Sequence, residues 1–120
     1  MKKLFLLLSF IIFLNHCYSQ VSYDSHHKGV TKYIGSTTNG LRQGVWKKLT
    51  WDGFTVSETN YFKGVKKGDY YQYSTRSKQI IIEGQYLNNM RVGEWIYYGQ
   101  YSALVDSILF YRRGIIIKKY

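Results

Sequence analysis

The chain has 120 residues, with 17 lysines and arginines against 7 aspartates and glutamates, a formal charge of +10. That length leaves room for one domain. The charge favours acidic partners such as anionic lipid, acidic protein or polyanionic glycan. A single cysteine excludes an internal disulfide framework, and the absence of proline means that no strand need lose a backbone donor.

Met1-Lys2-Lys3 is a short positive head, and Leu4 to Leu14 is apolar except for Ser9, about eleven residues in all. A bilayer crossing needs roughly 20. Cys17 and Ser19 stand three and one positions before Gln20, where a leader peptidase prefers small residues. Residues 1–19 therefore read as a cleaved secretory signal helix, which predicts an exported protein, periplasmic or secreted. Lipidation at Cys17 is the lesser alternative; Leu14 suits it and His16 does not. Removing Lys2 and Lys3 leaves 15 basic residues against 7 acids, about +8. Export disfavours nucleic acid as a partner.

Residues 20–36 read as a lead-in, polar and without an apolar period from Gln20 to Lys28. His26-His27 lacks further ligands nearby and reads as surface histidines rather than a metal site. Val30, Tyr33 and Ile34 begin a β pattern, and Asn39-Gly40 is a turn pair. Gly44 to Trp51 reads as a strand, Asp52-Gly53 as a hairpin turn with both residues at positive φ, and Phe54 to Phe62 as the return. Gly68 to Ser74, the turn Thr75 to Lys78, and Gln79 to Leu87 repeat the arrangement. Gly93 to Ser102, a turn near Ala103-Leu104, and Val105 to Arg112 repeat it again, before a closing strand from Ile115 to Tyr120. No window after residue 20 carries a helical period.

One skeleton underlies these units. Tyr61-Phe-Lys-Gly-Val-Lys-Lys-Gly-Asp-Tyr70 and Tyr86-Leu-Asn-Asn-Met-Arg-Val-Gly-Glu-Trp95 align residue for residue. Thr37 takes the leading tyrosine's place in the first copy, and Tyr111 opens a fourth. Gly44, Gly68 and Gly93 are spaced 24 and 25 apart, and Trp46, Tyr70, Trp95 and Tyr120 keep the period. Such a period is the signature of a repeat architecture. The expected fold is all-β, a single-sheet stack of antiparallel hairpins over residues 37–120. Each loop from Gly40 to Gly44, Gly64 to Gly68 and Asn89 to Gly93 is expected to enter left-handed space at its first residue. Its second glycine is expected to let the chain pass close to the neighbouring unit. Stacking would set Trp46 beside Tyr70, Trp95 and Tyr120, and Tyr61 beside Tyr86 and Tyr111, with one tryptophan-bearing packed face and one open, tyrosine-rich face.

Units of about 24 residues with Gly-x-Trp-x-x-Tyr after an Asn-Gly turn resemble MORN-type repeats. They are closest to the variant subfamily of exported bacterial proteins, some of which carry a toxin–antitoxin component label. Gly93-Glu-Trp-Ile-Tyr-Tyr98 and Gly44-Val-Trp46 carry the resemblance, tyrosine replaces tryptophan at Tyr70, and Lys118 departs from the pattern. The resemblance implies an elongated sheet of hairpins that contacts protein or membrane lipid, with no catalytic residues and no cofactor.

The acids Glu58 and Glu83 share one repeat position, and Asp69 and Glu94 another, so each pair could mimic a two-carboxylate site; counterions for nearby lysines are the plainer reading. No nucleophile elbow or phosphate-cradling loop is present. Arg42, Lys66 and Arg91 each stand two residues before a repeat glycine, with Lys47, Lys48 and Lys67 close by. This row is the candidate binding edge for an anionic protein or envelope component; it equally suits a solvated edge blunted by charge. The sequence thus predicts a non-catalytic binding or scaffold module. The alternative is an immunity-type or peripheral membrane module, and an open sheet end could also pair copies of the chain.

Overall fold

The computed structural model describes residues 31–120 and the backbone of 17–24; the leader before Cys17 and both residues of His26-His27 lie outside the described residues. Eight strands run from Thr31 to Lys119, and a ninth precedes them. They are β1 (Cys17–Asp24), β2 (Thr31–Thr38), β3 (Leu41–Leu49), β4 (Thr55–Phe62), β5 (Val65–Tyr73), β6 (Ile80–Leu87), β7 (Met90–Tyr98), β8 (Val105–Arg112) and β9 (Ile115–Lys119). All belong to one sheet in sequence order, and each is antiparallel to the next. No helix interrupts the described residues. Residues 17–24 and 31–38, read from sequence as leader end and lead-in, are thus strands of the sheet. Ser19 lies inside β1 opposite Ser36, so cleavage after it would shorten that strand to Gln20–Asp24.

Two kinds of reversal alternate along the two edges. On one edge Asn39-Gly40, Lys63-Gly64, Asn88-Asn89 and Arg113-Gly114 each have positive φ at both residues, between 47° and 83°. These are two-residue turns of the type whose twist matches that of the flanking strands. The reversal is therefore shorter than the five-residue loop expected from sequence. On the opposite edge the chain turns through Thr50–Phe54, Ser74–Gln79 and Gly99–Leu104, each closed by a backbone hydrogen bond of 2.8–3.1 Å. Asp52-Gly53 belongs to this second kind. Only Gly53 of the pair has positive φ, and the Thr50 hydroxyl accepts from Phe54 N (2.9 Å) to brace a wider loop.

The Gly-x-aromatic boxes are bulges. Ile34 faces Lys47 and Ser36 faces Gln43, so five residues of β3 span three of β2. Lys66–Tyr70 against Thr59–Tyr61, and Val92–Ile96 against Glu83–Gln85, repeat the mismatch. Gly44, Gly68 and Gly93 sit in these bulges with φ of 75°, 109° and 67°. A Cβ at Gly44 or Gly93 would meet nothing within 4 Å, and one at Gly68 would first touch Asn60 at 3.4 Å. The glycine is required by its backbone conformation, and the close approach to a neighbour expected from sequence does not occur there.

Close approach occurs at a different glycine. Trp46 and Trp95 are the deepest large side chains, 3% and 0% exposed. Each indole lies across Gly35 or Gly84, where a Cβ would stand 2.3 Å from the ring. Each indole N–H donates to the carbonyl following that glycine, Ser36 at 2.9 Å and Gln85 at 3.1 Å. The middle unit has Thr59 in the glycine's place, opposite the smaller ring of Tyr70. Tryptophan on glycine and tyrosine on threonine are alternative fillings of one slot.

Trp95 stacks on Tyr70 (5.4 Å, 29°) and meets Tyr86 (5.0 Å) and Tyr111 (6.1 Å) edge-on. The tyrosines of positions 61, 86 and 111 share the tryptophan face, while Tyr71 and Tyr98 lie on the opposite face with Glu83. Tyr120 does not continue the tryptophan row. Lacking a glycine at Lys118, β9 bulges by one residue where the earlier strands bulge by two. A one-residue difference turns side chains to the other face. Tyr120 accordingly packs on Phe110 (5.6 Å) across the sheet from Trp95.

Replacing Gly84 with alanine forces a methyl group into the Trp95 indole and should cost about 3 kcal/mol. Replacing Gly93 with alanine meets open space and should cost about 1–2 kcal/mol for the backbone alone. Urea midpoints at constant slope measure both, and equal losses would refute the tryptophan-on-glycine slot.

Candidate binding surface

The three residues of the basic row occupy equivalent corners, as their spacing predicts, but they are half-buried in the aromatic face. Antiparallel pairing sets Arg42 opposite Thr37, Lys66 opposite Tyr61 and Arg91 opposite Tyr86, all on the tryptophan side. The Arg42 guanidinium lies 4.3 Å from the Trp46 ring and 5.3 Å from Tyr61, and donates to the Tyr61 hydroxyl at 3.1 Å. Arg91 lies 4.1 Å from Trp95 and donates to the hydroxyls of Tyr97 (2.8 Å) and Tyr111 (3.2 Å). Lys66 stands 4.9 Å from the Tyr86 ring. Each cation thus bridges its own unit's aromatic ring or the strand before it to the unit that follows.

The backbone of the same residues carries a second link. The carbonyls of Arg42, Lys66 and Arg91 accept from the N–H of Gly64 (2.9 Å), Asn89 (3.1 Å) and Gly114 (3.0 Å), the second residue of the next unit's tight turn. Gln43 Oε1 accepts from Lys63 N, and Asn89 Oδ1 from Lys66 N, at 2.9 and 2.8 Å. The turns form a ladder, and the basic row is its rung. Burial weakens the Arg91 charge, but hydrogen bonds to the phenols of Tyr111 and Tyr86 more than offset this and hold its pKa above the ordinary arginine value.

The other candidates divide. Lys48 joins the aromatic face, 5.8 Å from the Tyr33 ring. Lys47 lies on the opposite face and pairs with Glu58 at 3.7 Å, the one acid of the four singled out from sequence that forms an ion pair with a lysine among the described residues. Lys67 is exposed on that opposite face, 5.1 Å from the Phe62 ring. Asp69, Glu83 and Glu94 come together around an open hollow of about 390 Å³ between β5, β6 and β7, with Tyr71, Val92 and Ile96. Asp69 accepts from Gln85 Nε2 (3.1 Å) and Glu83 from the Tyr98 hydroxyl (2.5 Å). Among the described residues no three histidine, cysteine or carboxylate side chains gather to hold a metal.

The sequence reading missed the apolar character of the turn edge. Leu41, Phe62, Leu87, Met90 and Ile115 flank the tight turns, are 40–70% exposed, and share the face opposite the tryptophans. Their spacing relative to each turn was available in the sequence, where they pass for strand interiors. Trp51, on the other edge, is 81% exposed.

Comparison with family models, with curated proteins and with solved structures finds no match.

Arg42→Gln and Arg91→Gln should each destabilise the fold by about 1–2 kcal/mol, because a stacked, hydrogen-bonded cation is lost. Lys67→Gln should stay within about 0.5 kcal/mol. Denaturation curves of the three variants decide whether the row is structural.

Burial, with the neighbouring Tyr86 phenol, raises the pKa of Tyr70; burial and the hydrogen bond to Tyr111 raise that of Tyr97. Raised phenol pKa values favour the neutral form in the folded state. Their contribution is complete below the unfolded value of about 10 and is lost as pH rises through the folded values. Urea midpoints should be flat up to about pH 9.5 and then fall. A Tyr70→Phe/Tyr97→Phe variant should fall less steeply, and an unchanged slope would contradict this assignment.

Proposed function

We propose that the chain is an exported, non-catalytic binding module of the MORN type, and that it holds an anionic protein or envelope component. One observation supports this most: the tryptophan face is closed by its own arginines and tyrosines, while further cations remain exposed outside it. Lys63, Lys67, Arg76, Lys78, Arg112 and Arg113 are all exposed at or beside the turns. Arg42, Lys66 and Arg91 fix the spacing of the units, and the exposed cations face the partner.

Retention on an acidic-protein column, followed against salt, tests the reading. Replacing Lys63, Lys67, Arg112 and Arg113 with glutamine should abolish most of the retention and flatten its salt dependence, with the circular dichroism of the sheet unchanged. Retention that ignores both salt and these substitutions would end the proposal.

A further inference from the structure

Resting on that reading of an anionic protein partner, we propose that the outer edge of β9 is a strand-addition site. Its occupant is an extended segment of another protein, apolar in the middle and carrying aspartate or glutamate at both ends. β9 is the outermost strand of the sheet, and among the described residues it pairs with β8 alone. Ile108 and Tyr120 exchange both backbone hydrogen bonds, at 3.0 and 2.9 Å, so the N–H and C=O of the adjoining Lys119 point away from β8. Arg112 and Ile115 face each other across the two-residue turn at Arg113-Gly114, so Ile116, the next residue, also turns its backbone groups outward. Donors and acceptors thus line one free side of the strand, which is what main-chain addition of a further strand requires.

The side chains favour covering the same edge. Ile115, Ile116 and Ile117 are 70%, 52% and 55% exposed, and Tyr120 is 62% exposed. Ile115 stands opposite Arg112 on the face away from the tryptophans, and Ile116 opposite Tyr111 on the tryptophan face. Apolar surface is therefore bare on both faces of one strand, and an added strand would cover part of each. The other end of the sheet differs in composition. β1 reads Cys-Tyr-Ser-Gln-Val-Ser-Tyr-Asp, with Val21 its single β-branched residue, whereas three of the five residues of β9 are isoleucine.

Charge decides which strand can enter. Arg112 and Arg113 precede the isoleucines, Lys118 and Lys119 follow them, and residues 107–120 contain no acid. All four cations are exposed. The β9 of a second copy, about 4.8 Å away, would bring the same four cations against these in either orientation, and like charges across a strand pair are unfavourable. The edge thus rejects its own kind, which is how edge lysines discourage self-pairing. A segment with acids at both ends meets the opposite sign at both ends, and its apolar middle lies against the isoleucines.

The test uses the full chain and two labelled peptides followed by fluorescence anisotropy. One is Asp-Asp-Val-Thr-Val-Thr-Val-Asp-Asp, and the other has lysine for every aspartate. The acid-ended peptide should bind, and the lysine-ended peptide should bind about tenfold more weakly or less. Binding should slow hydrogen exchange at the outward amides of Ile116 and Lys119 by about tenfold or more. Ile116→Pro removes an outward donor while sparing the ladder to β8, and should abolish binding. Lys118→Glu/Lys119→Glu changes exposed side chains only and should erase the preference between the peptides. Lys63→Gln/Lys67→Gln, four strand spacings or about 19 Å from β9, should leave binding within about twofold. Equal affinity for both peptides, or unprotected Ile116 and Lys119 amides in the bound state, would overturn the site. Protection of those amides without peptide, in a chain whose mass doubles with concentration, would overturn it in favour of a second copy. Salt-sensitive retention on the acidic-protein column without peptide binding would remove the β9 site and leave the binding module standing; loss of both would remove the module reading as well.

Discussion

An indole lying flat across a glycine of the preceding strand is the contact on which the rest of this sheet depends. A single open sheet has no second layer to bury its side chains against, and isolated hairpins are marginal in water. The protein answers by burying rings within the sheet's own thickness. The two-residue bulge at Gly44-Val45 and Gly93-Glu94 pushes the backbone out of register and swings the following tryptophan back over its neighbour. The missing Cβ at Gly35 and Gly84 gives the ring a floor, and the exposed carbonyl of Ser36 or Gln85 satisfies its N–H. Glycine therefore serves two different ends within one slot. In the bulge it supplies a backbone angle; on the facing strand it supplies space.

From that slot the remaining contacts follow. Once the indole is flat, its outer face is free to receive a guanidinium, and the residue four positions earlier on the same strand is placed to provide one. Arg42 on Trp46 and Arg91 on Trp95 are the same contact in two units. The guanidinium then reaches forward to the tyrosine of the next unit, and the backbone carbonyl behind it receives that unit's turn. Side chain and main chain of one residue thus both point along the stack. Where tyrosine replaces tryptophan, lysine replaces arginine and threonine replaces glycine, so the middle unit is a self-consistent variant of the pattern.

The strands, their order and the equivalence of the units were legible in the sequence because the period of 24 to 25 residues is carried by turn residues and rings together. The turn at Asn39-Gly40 was readable for the same reason. The bulge was not, since Gly-x-Trp reads as an ordinary strand start and nothing local declares two extra residues. That omission had consequences. A five-residue loop ending at Gly93 pairs Tyr86 with Ile96 and leaves Arg91 in the loop, whereas the two-residue turn pairs Tyr86 with Arg91 on the tryptophan face. Gly35 and Gly84 were equally silent, because their role exists only relative to a tryptophan eleven residues later. The apolar edge escaped notice for a simpler reason: leucine, phenylalanine and methionine beside a turn look like the ends of buried strands, and only a sheet without a covering layer leaves them bare.

The excess of positive charge is divided among three settings, and the division bears on purpose. Like charges repeated once per unit stand about 10 Å apart, two strand spacings, which is close to the screening length at moderate salt. Their mutual repulsion is small beside the attraction of each to its own ring, so Arg42, Lys66 and Arg91 cohere with the stack. Lys47 is answered by Glu58 on the opposite face. The cations at the turns are exposed: Lys63 and Lys67 stand beside the Phe62 ring, Lys78 lies 3.6 Å from the Phe54 ring and Arg76 donates to the Tyr101 hydroxyl, contacts that solvent weakens. The cations that hold the stack together and the exposed cations are thus separated in space, the first inside the aromatic face and the second at the ends of the strands.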